Sequence, residues 1–264
     1  MKKFLELFKI GGEEERVSSS IIQFLGLFLL LLLWLVVTEF GNVSVAIFPS
    51  PLKVFGSFKE LHFEDELVLN AFYSIKLNFI GYLKAVGVCI PLGFLIGLFP
   101  FFRSLLSKYV DAIRFIPLTA VTGLFVGWFG IYDEMKINFL AFGIIVYLLP
   151  IMIQRVMGTE KVHVQSIWTL GANTWQMFRH VYFPSAISKV FDDIRVIVAI
   201  SWTYIIVAEM VNKQGGVGDL IFRCARNSRV DKVFAVLIVI IIIGFLQDML
   251  FKWADRKLFP HKHA

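Results

Sequence analysis

Three side chains able to handle charge or polar solute recur at a fixed interval in one apolar stretch: Arg195, Trp202 and Glu209, each seven residues from the next. On a helix that spacing puts them close to one stripe. An ionisable group inside a membrane segment faces protein or water, because exposing it to lipid costs about 2.5 kcal/mol or more. Two readings stay open: a polar lining for a solute path, with Ser201 and Thr203 beside Trp202 as hydroxyl partners, or structural pairing with a neighbouring helix. Lys84 is equally out of place near the middle of another apolar stretch. Either it draws a negative solute inward, or it pairs with Glu39 or Glu209. Bond-making chemistry is absent from the pattern. No G-x-x-x-x-G-K-[ST] exists to cradle a nucleotide, and Gly215-Gly216-Val217-Gly218-Asp219 reads as a turn. The five histidines form no ligand spacing with cysteine or carboxylate, and no Ser/His/Asp set can be argued. An enzyme is therefore not expected, nor a metal site.

These residues need apolar helices to position them, and the composition supplies them. Of 264 residues 58% are hydrophobic, mean hydropathy is +0.75, and Phe alone numbers 28, which describes a single polytopic membrane domain of the all-α class. With about 20 residues needed per crossing, the apolar runs give about six spans, near 20–40, 72–98, 112–130, 136–156, 190–211 and 231–251. The first is expected to be retained rather than cleaved. Its apolar run is longer than a signal peptide's, and Glu13, Glu14, Glu15 and Arg16 precede it. Residues 1–19 then form a terminal segment, 20–71 the first span and an outer loop, 72–251 the main membrane core, and 252–264 a tail. The net charge of +6 fits basic cytoplasmic loops rather than nucleic-acid binding. Lys2, Lys3, Arg103, Lys108, Arg155, Lys161, Arg179, Lys189, Lys252 and Arg256 fall on one side, which predicts that both termini are cytoplasmic. One loop breaks the rule: Lys213, Arg223, Arg226, Arg229 and Lys232 lie on the outer face of that topology. They either present solvated charge or attract an anionic solute or acidic partner.

Between the fourth and fifth spans lies a polar stretch, 159–184, whose letters predict a helix-turn-helix. Val164–Leu170 and Asn173–Tyr182 each suit a short helix. Gly171 is free to adopt the left-handed conformation that ends the first, Asn173 can cap the second, and Pro184 is expected to stop it. Trp168, Trp175, Met177 and Phe178 give it more apolar surface than a solvated loop leaves bare, which implies a partner or the bilayer interface. Pro91, Pro117 and Pro150 mark places where spans can kink or break.

The spacing Gly171, nine residues, Val181, one residue, Phe183-Pro184 resembles the coupling loop of importer-type ABC transporter permeases. So does the order Phe48-Pro49-Ser50-Pro51, Ser74-Ile75-Lys76, Gly81-Tyr82, Arg114-Phe115-Ile116-Pro117, Trp128-Phe129-Gly130, Ile194-Arg195 and Ala208-Glu209-Met210, which is similar to the nitrate/sulfonate/taurine/bicarbonate importer family. The resemblance implies a five-helix core preceded by one extra helix, and a cytoplasmic coupling helix. It implies a second permease copy, separate ABC ATPase subunits that carry the ATP and Mg, and an extracytoplasmic solute-binding protein, all at a bacterial inner membrane. No cofactor is expected in this chain, and lipid is the other contact. The coupling role falls on Gln165, Gly171 and Pro184 by resemblance, with Trp175 and Phe178 added for their apolar surface. Gln165 stands where the family has glutamate, so docking leans more on the Gly171 turn and the aromatic face. A small anion, or a pyrimidine-type vitamin precursor, is the implied solute. The rival is a stand-alone channel or carrier, for which the Gly171 loop would be dispensable.

Overall fold

The computed structural model describes residues 16–41 and 43–262, and among these every regular element is helical. In chain order the helices are α1 (Arg16–Phe40), α2 (Pro51–Phe63), α3 (Leu67–Leu98), α4 (Pro100–Ile113), α5 (Leu118–Phe129), α6 (Asp133–Met157), α7 (Lys161–Thr169) and α8 (Thr174–Met177). A π-helical turn, Phe178–Tyr182, leads into α9 (Phe183–Asn212), followed by α10 (Val217–Arg226) and α11 (Val230–Leu258). Among the described residues five stretches are long and apolar enough to cross a membrane: Ile21–Phe40, Leu67–Leu98, Asp133–Met157, Thr174–Val211 and Val230–Leu258. The number is six if α4 and α5, bent by 103° at their junction, count as one.

That bend revises the third expected span, 112–130. The break falls at Arg114–Pro117, where the ring of Pro117 disfavours helical backbone at Ile116. What remains, α5, has 12 residues and a length of about 18 Å, well short of a hydrocarbon core of about 30 Å. Pro91 and Pro150, by contrast, sit inside continuous helices.

The chain forms two compact units, one of residues up to Glu60 with Cys224–Ala235, the other of Leu61–Arg223 with Val236–Ala264. In the smaller, the Trp34 indole N–H donates to the Pro49 carbonyl (3.0 Å), and its ring meets Phe48 and Phe234. Glu60 there joins Arg229 (2.8 Å) and Lys232 (3.1 Å), whose positive charges hold its carboxyl below the usual value.

The larger unit is built on α3 and α6, which run parallel and nearly touch. A Cβ added at Gly93 would lie 2.1 Å from Met152 Cγ, and one at Gly97 would lie 2.7 Å from Val156 Cβ. Lipid offers no hydrophobic drive between apolar helices, so such close backbone packing is what joins them. α5 adds a core of Leu118, Phe125, Met135, Phe139, Val146 and Ala208. α9 runs antiparallel to α6, with Arg155 bonded to Asp193 by two N–H groups (2.7 and 2.8 Å) and the Tyr204 ring beside Gly143. The second half of α11 meets α9 through side chains: Trp202 Nε1 donates to Gln247 Oε1 (2.7 Å), Arg195 to Asp248, and Phe191 touches Phe251.

Candidate functional site

The segment between α6 and α9 is structured by its own local chemistry. Gly171 has φ of +78°, with the left-handed backbone expected of it, and closes α7 through backbone bonds from Gly171 to Trp168 and from Ala172 to Ile167. Asn173 then opens α8 with a reciprocal cap: its Oδ1 accepts from Gln176 N–H (2.9 Å) and Gln176 Oε1 accepts from Asn173 N–H (2.8 Å). Pro184, however, does not stop the helix. It occupies the first turn of α9, and Thr174–Val211 runs as one helical stretch. The π turn just before it explains this: Phe183 N–H bonds back to Phe178 C=O, so the register has already shifted where proline lacks a donor and crowds its preceding turn.

Trp175 is 64% exposed, Trp168 69% and Leu170 85%, so the apolar side of α7 and α8 is uncovered in this chain. Phe178 belongs elsewhere. Half-buried, it stacks under Trp175 (centroids 5.4 Å) and meets Phe94 of α3 edge-on (5.1 Å), while Phe183 lies against Phe94 as well (5.7 Å). The aromatic group thus ties the segment to the core and leaves Trp175 outermost. Gln165 is exposed on α7 and lines a cavity beneath it.

The left-handed joint gives a direct prediction. No atom lies within 4 Å of a Cβ added at Gly171, so a substitution there is penalised by backbone strain and not by collision. Valine suffers most and asparagine least in that conformation, against a base cost of about 1–2 kcal/mol. Gly171→Val is expected to lower transport about tenfold or more at unchanged membrane insertion, with Gly171→Asn near wild type. Equal transport by both variants in a vesicle uptake assay would remove the joint from the mechanism.

At the other end of the bundle a buried polar cluster gathers α3, α6, α9 and the turn before α10. Glu209, 0% exposed, accepts from the Ser74 hydroxyl (2.6 Å) and from Gly218 N–H (2.8 Å). Ser74 Oγ in turn accepts from Val217 N–H (2.9 Å), and Asn70 Oδ1 from Gly216 N–H (2.8 Å). Lys136, also 0% exposed, donates to Tyr73 Oη and to the Gln214 carbonyl, both at 3.0 Å. The glycine-rich turn is thereby locked. Gly216 has φ of +97°, and a Cβ there would fall 2.2 Å from the Glu209 carboxyl carbon.

Each residue of the stripe read from the seven-residue spacing therefore has a structural partner: Asp248 for Arg195, Gln247 for Trp202, and Ser74 with Gly218 for Glu209. Ser201, fully buried, donates to the Val198 carbonyl (2.6 Å) and lies 3.0 Å from Asn78 Oδ1. Thr203 differs, lying exposed on the face of α9 that carries Val196 and Ala199. Lys84 is exposed on α3 and donates to Asn138 Oδ1 (2.7 Å), so neither carboxylate considered for it is its hydrogen-bond partner here. Asn138, Lys136 and Ser74 are the residues that spacing alone did not raise as site members. Among the described residues no group of three or more His, Cys, Asp or Glu is placed to hold a metal ion.

The basic residues before α11 are largely neutralised, each by groups of its own unit. Arg229 pairs with Glu60 and Asp231 (both 2.8 Å), Lys232 with Glu60, and Arg223 with Asp219 (3.3 Å), while Lys213 lies over the Phe222 ring.

Comparison with known proteins agrees with this architecture. Residues 89–260 match the family described as binding-protein-dependent transport system inner membrane component. The putative aliphatic sulfonates transport permease protein SsuC of Bacillus subtilis is 28% identical over 88% of this chain and 84% of its own length. The nitrate import permease protein NrtB of Synechocystis is 26% identical over 74% of this chain and 70% of its own. Among solved structures, the inward-facing MetNI methionine ABC transporter shares the fold with a TM-score of 0.65, at 15% identity, over 72% of this chain and 95% of that one. With that family matched over well more than half of its length, this chain belongs to the binding-protein-dependent inner membrane components: it is a multi-pass permease subunit of an ABC importer, a transport protein and not an enzyme.

Proposed function

We propose that this permease carries a small oxoanion such as a sulfonate or nitrate, handed to it by an extracytoplasmic binding protein. Separate ATPase subunits, which hold the ATP and Mg, drive it through the α7–α8 segment. The observation that carries this reading is a coupling segment built by local caps and a left-handed glycine, with Trp168, Leu170 and Trp175 all uncovered. A surface so ordered and so apolar fits a docked partner. Two identical copies would enclose the path, with lipid around them. Lys84 with Asn138, and Thr203 on the open face of α9, supply its polar lining, while Ser201, Trp202 and Glu209 hold its walls in place.

In this reading the α7 end and both termini are cytoplasmic. Arg103, Lys108, Arg155, Lys161, Arg179 and Lys189 support the orientation. The exception to that rule loses its weight once Arg229, Lys232 and Arg223 are seen paired with carboxylates. Those same pairs weaken the argument that the loop attracts anions, so the oxoanion rests on the sulfonate and nitrate relatives and on Lys84.

The test is ATP hydrolysis by the complex in lipid discs, with its binding protein, across nitrate, bicarbonate, aliphatic sulfonates, taurine and a pyrimidine vitamin precursor. Stimulation by one oxoanion is the expected result. Stimulation by the pyrimidine alone would replace the solute, and a chain that transports without any ATPase would overturn the coupling.

A further inference from the structure

Where α3, α4, α6 and α7 meet, the protein leaves a cavity of about 360 Å³ directly beneath the coupling segment. Its wall carries Arg103 from α4, Lys161 and Gln165 from α7 and Tyr182 from the π turn, and it contains no carboxylate. Most cations whose partners were described above meet an acid; these two do not. Arg103 donates through Nη2 to the Gly97 carbonyl, and its Nε–H is buried without an acceptor. Lys161 forms no ion pair among the described residues. The nearest acid in sequence, Glu160, lies 3.9 Å from His163 and lines a different cavity. α7 begins at Lys161, so the cavity also lies at the positive end of a nine-residue helix.

The neighbouring helix indicates what reaches this cavity. α4 has no buried residue, exposes Phe101, Leu105 and Tyr109, and bears Arg103 and Lys108 among them. It is bent by 103° from α5, and a helix of that composition suits a membrane surface, at the level of the phosphates.

We infer that this cavity binds a tetrahedral oxoanion, a phosphate or sulfonate group, held between Arg103 and Lys161 with the Gln165 amide and Tyr182 hydroxyl as further donors. The bound group bridges α4 to α7 and so fixes the coupling segment against the bundle. Without it, two like charges face one space. The α4 surface favours the phosphodiester of an anionic lipid as the source, and a free oxoanion has the same chemistry. Binding here does not depend on which solute the permease carries.

The full chain in discs of phosphatidylcholine with added phosphatidylglycerol separates the sources. After extraction into mild detergent, native mass spectrometry should show phosphatidylglycerol retained by wild type. Lys161→Gln and Arg103→Gln should each retain about tenfold less, the loss expected for one charge-assisted contact. Lys108→Gln should match wild type, and Lys161→Arg should restore retention. Lys161 is exposed, so its variant tests the site even where Arg103→Gln assembles poorly. Saturable binding of inorganic phosphate in pure phosphatidylcholine discs, lost in the same variants, would assign the site to a free ion. Lipid retention and phosphate binding that both ignore Lys161 and Arg103 would overturn the proposal.

Discussion

Glu209→Ala should cost this permease about 3–5 kcal/mol, the range for removing one member of a buried charged cluster. The loss has three parts. The Ser74 hydroxyl and Gly218 N–H are each left without their acceptor, at 2.6 and 2.8 Å in the intact protein. Lys136, which is wholly buried, remains in place with less negative charge around it. Ser74 cannot turn its proton elsewhere freely, because its oxygen also accepts from Val217 N–H. Against a total stability of about 5–15 kcal/mol the change is a large fraction, and a melting point about 10 °C lower is expected in detergent. Glu209→Gln, which keeps one acceptor oxygen, should fall between. An alanine variant that melts with wild type would mean that the cluster does not hold the turn before α10.

Trp175→Glu should leave membrane insertion and melting unchanged and remove the ATPase. The side chain is 64% exposed, and exposed positions away from special backbone seldom shift stability by more than about 0.5 kcal/mol. Its inner face rests on Phe178, which is anchored to Phe94 and stays where it is. A carboxylate at the tip of that stack would have to be desolvated on docking. The loss of an aromatic anchor is worth about 2 kcal/mol or more, so association should weaken about 30-fold. Co-purification of tagged permease and ATPase reads this directly. An ATPase that still travels with the variant would place the docking surface elsewhere, on Trp168 and Leu170 or off this segment.

Local rules were legible in the letters and long-range ones were not. Gly171 and Asn173 could be assigned their conformations because a left-handed turn and a cap are decided within four residues. The same reasoning failed at Pro184, since nothing in Phe178–Tyr182 announces a π turn, and that turn lets the helix pass. Apolar length found five helices readily. It could not show that Pro117 would split the remaining one, because Pro91 and Pro150 look alike in sequence and are absorbed. Glu209 and Arg195 were recognisable as costly residues in an apolar helix. Their partners, Ser74 and Asp248, stand 135 and 53 residues away and are brought near only by the packing of α3, α9 and α11.

The unbroken run from Thr174 to Val211 spans 38 residues, about 57 Å. Trp175 rides near one tip and Glu209 near the other. At its middle, Arg155 grips Asp193 and the Tyr82 hydroxyl donates to the Ile194 carbonyl (2.6 Å). A beam held at its centre is a lever with two arms. A tilt of about 5° about that fulcrum would carry each tip about 2.5 Å, in opposite directions, given a rise of 1.5 Å per residue. A push at the aromatic stack would then be expected at the glycine-rich turn with the opposite sign, passing on the way through the π turn at Phe178–Tyr182, the point of the run best able to flex.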